Sequence, residues 1–239
     1  MILYGRNPVA EALRAGRRPV GPVWATQRAA REPWLRGIDV QVVRAEEIEL
    51  RCGSGTHQGI CAEAGAYPYA NASALLSEPD ALIVALDEIE DPQNLGAVCR
   101  TAECVGATGV VICERRAAEV TPAAAKASAG AVEHLRVARV RNLADFLGEA
   151  KEAGCWCYGA AAGGDTSYDA PDYTGGVVVV LGGEGRGLRP RVASMCDAVV
   201  SLPMRGRIDS LNVSAAAAAL LYAVLQRRLQ GKETLDIGS

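Results

Sequence analysis

Val177-Val178-Val179-Val180-Leu181-Gly182-Gly183-Glu184-Gly185-Arg186-Gly187-Leu188 is the stretch on which the reading of the fold turns. An apolar run without polar alternation suits a strand buried on both faces, as in parallel sheets covered by helices. The run passes directly into glycines interrupted by one acid. Glycine lets a ligand approach the backbone, whose N–H and C=O groups can then bind it. Two common nucleotide loops do not fit. Gly-x-Gly-x-x-Gly fails because Leu188 stands at the third glycine position and the loop comes late in the chain, and no phosphate loop ending Gly-Lys-Ser/Thr is present.

Outward from this strand, similar apolar runs occur at 82–86, 110–113, 137–140, 155–160 and 198–202. Helical patterns lie between them at about 95–105, 122–129, 143–153 and 189–196, with Thr121-Pro122 and Asn142 as start signals. A last helix is expected over about 212–229, its alanine run Ala215 to Ala219 suited to close packing. The pattern is α/β with a parallel sheet. Upstream, Asn7 as cap and Pro8 at the first helical position begin a short helix, strands are expected at 20–25, 38–43 and 59–64, and a helical stretch at 45–50. Punctuation by Gly, Pro, Ser and Asn over 65–79 separates the two patterns. The expected organisation is an N-terminal domain at 1–66, a linker at 67–80 and a C-terminal domain at 81–239.

At 239 residues and 49% hydrophobic composition the chain can bury a substantial core. No apolar run approaches the roughly 20 residues of a membrane helix, and the first residues lack a secretory pattern, so a soluble, cytoplasmic protein without membrane partners is expected. The eight cysteines are scattered through apolar stretches and read as reduced, buried side chains. Cys155-Trp156-Cys157 is too close a pair, without a matching second pair, for structural zinc, so no metal is expected. A net charge of −3 does not announce nucleic acid, but residues 1–51 hold nine arginines against six acids, and Arg115, Arg116, Lys126, Arg136, Arg139 and Arg141 follow later.

Two further blocks carry polar residues at strand ends. Leu86 to Ala102 (LDEIEDPQNLGAVCRTA) ends a strand in an acidic turn and enters a helix near Asn94, with Arg100 less than two turns on. Ser201 to Ala217 (SLPMRGRIDSLNVSAAA) places Ser210, Asn212 and Ser214 before the alanine run. Taken singly, these blocks are helix caps, a surface arginine, a tight turn and core leucines.

Together and in this order, the string from Asn94 to Arg100, the Leu-Gly-x-Glu-Gly-x-Gly-Leu loop and Ser-Leu-Asn-Val-Ser resemble the three motifs of the SpoU-class (TrmH family) RNA 2′-O-ribose methyltransferases. Tyr4-Gly5-Arg6-Asn7-Pro8-Val9 and Thr56-His57-Gln58-Gly59-Ile60 resemble the N-terminal domain of the ribosomal-RNA subgroup, which includes the bacterial 23S rRNA guanosine-2′-O-methyltransferase. The resemblance implies a SPOUT-type C-terminal domain with a deep trefoil knot, since spacing alone never predicts a knot. It also implies a small N-terminal domain of L30e-like RNA-binding fold and a homodimer through the knotted domain.

S-adenosylmethionine is the implied cofactor, held by Gly182, Leu202 and Leu211. Arg100 is the implied catalytic residue, with Asn94, Glu184, Asn212 and Ser214 orienting it, the nucleotide and the loops. An arginine is effectively always protonated, which favours an electrostatic and positioning role over proton abstraction. The N-terminal arginines become candidates for phosphate contact, and RNA rather than DNA follows because only RNA offers the 2′-hydroxyl. His57 is not expected to be a catalytic base, and His134 is read as structural. The alternatives are a tRNA ribose methyltransferase and a non-enzymatic RNA-binding protein of the same fold.

Overall fold

The computed structural model describes residues 1–183 and 185–236. Its first strand, β1 (Ile2–Tyr4), is too short to announce itself by periodicity, and α1 (Arg6–Ala15) follows. The helix starts one residue before the expected cap at Asn7. Gly5, at φ 95°, is the residue before it, and the Arg6 N–H is taken up by Gln58 Oε1 at 3.0 Å. Asn7 and Pro8 lie in the first turn, where N–H groups have no intrahelical acceptor and a proline is tolerated. Then come β2 (Val20–Ala25), two short 3₁₀ turns (Ala29–Arg31 and Pro33–Leu35), β3 (Val40–Val42), α2 (Ala45–Cys52) and β4 (Ile60–Ala64). The strand order is β1-β4-β2-β3, with β4 antiparallel to both neighbours and β3 parallel to β2.

The stretch read as a linker is packed. Tyr67 is buried, the Ala70 N–H donates to the Val137 carbonyl at 2.8 Å, and α3 (Ala72–Leu76) buries Leu75. Beyond it run β5 (Leu82–Asp87), α4 (Pro92–Cys104), β6 (Gly109–Cys113), α5 (Pro122–Ala127), β7 (Val137–Val140), α6 (Leu143–Glu152), β8 (Trp156–Ala160), β9 (Thr166–Ser167), β10 (Val177–Gly182), α7 (Pro190–Ala193), β11 (Ala198–Ser201) and α8 (Val213–Asp236). Thr121 and Asn142 cap α5 and α6 as expected, accepting from the N–H groups of Ala124 (3.3 Å) and Ala144 (3.0 Å). The start of α4 was expected at Leu95; it moves to Pro92 because Asp91 is the cap, accepting from Gln93 N–H at 2.9 Å. No helix among the described residues is long and apolar enough to cross a membrane.

The large sheet is parallel throughout, in the order β7-β6-β5-β10-β8-β11-β9. Alternate residues of each central strand enter different cores. Val84, Leu86, Val179 and Leu181 face α4, α5 and α8, while Ile83, Ala85, Val178 and Val180 face α6 and α7. The first core continues without a break into Leu3, Val9, Val23 and Ile60 of the small sheet. Each of the valines, leucines and isoleucines among these, fully buried, stabilises the fold by about 1.5–3 kcal/mol. The direction of winding changes between β5 and β10, and a crevice at the carboxyl ends of strands where order reverses is where parallel sheets take ligands.

Candidate functional site

Both switch-point strands end in groups that the loops use. Gly182 closes β10, and the loop after it folds back so that the Gly187 N–H donates to the Gly183 carbonyl at 3.0 Å. A Cβ at position 182 would run into the backbone of Gly187, so only glycine permits this approach. The loop then returns to the sheet through Arg189. Its backbone N–H donates to Asp87 Oδ2 at 2.8 Å and its guanidinium to Asp87 Oδ1 at 2.7 Å, with Glu88 Oε1 at 3.2 Å. Asp87 is almost fully buried. This anchor was missed in the sequence: Asp87 stood in plain view at the end of a strand, but nothing in a linear pattern pairs it with a residue 102 positions away.

Against this loop lies a cleft of about 670 Å³, lined by Gly182, Gly183, Gly187, Leu202, Leu211 and Asn212 among others. All three residues expected to hold the cofactor are therefore in one place. Ligand sites of a few hundred cubic ångströms with apolar walls and a few polar groups suit a small organic molecule. Leu202 and Leu211 supply apolar walls, and the glycines present backbone rather than side chain. Those features fit a nucleoside-bearing ligand held largely through main-chain groups.

Asn212 joins the third block to the first. Its Oδ1 accepts from the Ser214 N–H (2.9 Å) and hydroxyl (2.6 Å), so it caps the start of α8, while its Nδ2 donates to Asn94 Oδ1 at 3.0 Å. Asn94 is buried and lines a second cavity of about 610 Å³ with Asp87, Glu88, Arg186 and Arg189. The two cavities share Gly183, Arg186, Gly187 and Val213, which makes the glycine loop the wall between them. Glu184 lies outside the described residues. Arg100 is exposed and lines neither cavity. Six residues of helix set a side chain about 120° around the axis from Asn94, so the buried Asn94 and the exposed Arg100 lie on different faces of α4.

The arginines divide. Arg17 and Arg18 are consumed between the two sheets, where Arg18 pairs with Glu133. Arg6, Arg14, Arg44 and Arg51 pair with Glu32, Glu11 and Glu47. Arg28, Arg31 and Arg36 are exposed and, among the described residues, form no ion pair. His57 is buried, its Nδ1 accepting from the Gly59 N–H at 2.9 Å, and His134, ahead of β7, bonds Glu11 of α1 at 2.8 Å. The cysteines are free thiols, and burial pushes those of Cys99 and Cys157 up to about 12. No group of three or more His, Cys, Asp or Glu among the described residues could hold a metal ion.

Residues 81–222 match the sequence model of the SpoU rRNA methylase family, and residues 2–70 that of the RNA 2′-O ribose methyltransferase substrate-binding domain. The chain is 38% identical over 239 residues to a Bacillus subtilis protein named as a TrmH family tRNA/rRNA methyltransferase, covering 95% of each. Among solved structures it resembles the SpoU methyltransferase AviRb from Streptomyces viridochromogenes in complex with AdoMet, with a TM-score of 0.81, 25% identity, and coverage of 96% of this chain and 90% of that one. An AdoMet-bound rRNA methyltransferase from Sinorhizobium meliloti gives a TM-score of 0.79 at 26% identity, covering 94% of this chain and 86% of that one.

Proposed function

Since this chain belongs to the SpoU rRNA methylase family and is an S-adenosylmethionine-dependent RNA methyltransferase, we propose that it methylates the 2′-hydroxyl of a guanosine in 23S rRNA, in the cytoplasm. The carrying observation is the cleft that gathers Gly182, Leu202, Leu211 and Asn212, with the Asn212–Asn94 bond linking it to the first block. Ribosomal rather than transfer RNA is favoured by the separate N-terminal domain, which matches a substrate-binding model, and by the likeness of nearly the whole chain to an rRNA methyltransferase.

S-adenosylmethionine, when bound, supplies an electrophilic methyl on a sulfonium that departs without protonation, so the protein needs no general acid. Its task is the nucleophile. A ribose hydroxyl is weak while protonated and gains from a fixed positive charge beside its developing negative charge. Arg100 takes that role in our reading, with a neighbouring phosphate oxygen receiving the proton. Asn94, Asn212, Ser214 and Glu184 orient the loops and the nucleotide, and Gly182, Leu202 and Leu211 hold the methyl donor. The deep trefoil knot belongs to the same reading: α8 packs against α4 and β10, beside the loops through which the chain would thread.

Because Arg100 is exposed and lines neither cavity of its own chain, it acts in our reading on the cleft of a second copy. A homodimer is supported by the outward face of α8, where Tyr222 and Leu229, two turns apart, are 53% and 55% exposed beside Ala215 and Ala219. Tritium transfer from S-adenosylmethionine into 23S rRNA, tRNA and unrelated RNA tests the substrate. Label in tRNA alone would overturn the rRNA assignment, and no label in any RNA would leave a binding protein. Arg100→Ala and Arg100→Lys should each lower transfer about a hundredfold or more at unchanged cofactor affinity. Mixing Arg100→Ala with Gly182→Val copies should restore part of the activity, since one intact cleft then meets an intact Arg100; absence of rescue would return Arg100 to its own cleft.

A further inference from the structure

We infer that Arg17, Arg18, Tyr67 and Glu133 clamp the two halves of the chain into one rigid body and act as positioning residues, fixing the offset between the RNA-gripping N-terminal surface and the methyl-transfer cleft. The use made of that offset rests on the function proposed above; the clamp rests on contacts alone. The Glu133 carboxylate, just after α5, has both oxygens taken by the Arg18 guanidinium, through Nε at 3.1 Å and through Nη2. The third donor, Arg18 Nη1, reaches the Gly65 carbonyl at 2.9 Å. Both side chains are at most 2% exposed.

Around this pair the other groups are equally committed. Arg17 Nη1 donates to the Leu135 carbonyl at 2.7 Å. The Tyr67 hydroxyl lies 2.8 and 2.9 Å from the Val132 and Leu135 carbonyls, and its ring lies under both arginines, 5.9 and 5.5 Å from their guanidinium carbons. The segment after Tyr67 bonds to the edge of the large sheet at Val137. An enclosed ion pair is tolerable only when its geometry is complete, because removing either partner strands a buried charge. A hinge at this place would have to expose that pair on every opening. The apolar core running from Val23 to Leu95 points the same way.

A clamped reader has a chemical consequence for its substrate. Arg28, Arg31 and Arg36 stay at one fixed distance from the cleft, so the substrate class is RNA whose own fold presents the target ribose at that distance from the gripped phosphates. A flexible single strand must be ordered first, at an entropic cost.

The test uses the full chain in two seam variants, Arg17→Ala/Tyr67→Phe and Arg18→Gln/Glu133→Gln, the second leaving no buried charge. Amide exchange over 65–71 and 131–137 reads the clamp, and methyl transfer is compared on a folded rRNA fragment and a short unstructured oligonucleotide with the same target. Wild type should show slow exchange in both segments and a strong preference for the folded RNA. Each variant should exchange faster there and lose about tenfold in kcat/KM on the folded RNA, in kcat more than in KM, with unchanged cofactor affinity and little loss on the oligonucleotide. Fast exchange in wild type would overturn the clamp, and variants that exchange fast yet keep the full preference would overturn its role in positioning. If wild type labels no RNA, the proposed function fails while the exchange data still decide the clamp.

Discussion

Glu133 is 1% exposed with both carboxylate oxygens bonded, whereas Leu211 is 48% exposed with its apolar surface half open to water. The first belongs to the seam between the sheets and the second to the cleft at the carboxyl end of the large one. The seam is enclosed and its charges are matched. The cleft is open, and its lining is mostly glycine backbone and apolar side chains with Asn212 at its edge. Polar residues thus serve opposite ends in one chain: at the seam they satisfy one another inside the fold, while at the cleft Asn212 is bonded to Asn94 and Ser214 at the rim of an opening lined by the glycine loop. A substitution at the seam should therefore register first in stability, and one at the cleft first in ligand binding.

The sharpest way to break this contrast is Glu133→Ala, which leaves Arg18 buried without its partner. Urea unfolding should show a loss of about 3–5 kcal/mol, while the double replacement Arg18→Met/Glu133→Leu should be near neutral in stability. A loss under about 1 kcal/mol for Glu133→Ala would mean that water reaches the pair. Next in size is Gly182→Ala, whose Cβ meets the Gly187 backbone and displaces the loop. Overpacking of this kind costs about 1–3 kcal/mol. Calorimetric titration with S-adenosylmethionine should show affinity reduced more than tenfold, and unaltered binding would show that the loop does not hold the donor.

Between the two regions stands the Asp87–Arg189 anchor, buried on the Asp87 side and 42% exposed on the Arg189 side. Hydrogen bonds to charged groups contribute about 1.5–3 kcal/mol, and exposure of Arg189 lowers that to about 1–2 kcal/mol for Asp87→Asn. The loss should appear both in the urea midpoint and in cofactor affinity, since the anchor belongs to the sheet and to the loop. An effect on only one of them would assign it to one region.

The cleft was more legible in the sequence than the seam, for a physical reason. Its residues sit at strand ends in short runs, where a glycine cluster or a polar cap stands out against an apolar background, but that Gly182, Leu202 and Leu211 meet was implied by the resemblance to the SpoU-class enzymes and by no local pattern. The unbroken valine run and the caps at Thr121 and Asn142 likewise announced the parallel sheet and its helices. The seam depends on Arg18 meeting Glu133 over 115 positions and on Tyr67 meeting Leu135 over 68, and no local pattern encodes such pairs. That is why Arg17 and Arg18 were grouped with the phosphate-binding candidates, and why 67–80 read as a linker when its backbone bonds to the large sheet. The direction of Arg100 was not read from the sequence, which gave only that it lies less than two turns from Asn94; helical geometry sets the two about 120° apart around α4.

The smallest of these effects is also the most specific to the seam. Tyr67→Phe removes one hydroxyl facing two carbonyls and should cost about 1 kcal/mol at pH 7. Burial holds the Tyr67 hydroxyl protonated well above the ordinary tyrosine value of about 10, more strongly than the nearby Arg17 charge pulls it down. The unfolded chain ionises this group at about pH 10 and the folded chain does not, so above that pH the unfolded state binds fewer protons. Stability owed to the neutral hydroxyl is then complete below about pH 10 and falls by about 1.4 kcal/mol per pH unit above it. The variant lacks this group, and the other buried tyrosines and thiols act equally in both proteins. Urea midpoints of the two should therefore differ at pH 7 and 9, converge near pH 10.5 to 11, and cross beyond it. A difference that stays constant with pH would mean that the hydroxyl is hydrated in the folded chain, and the seam would then be as open as the cleft.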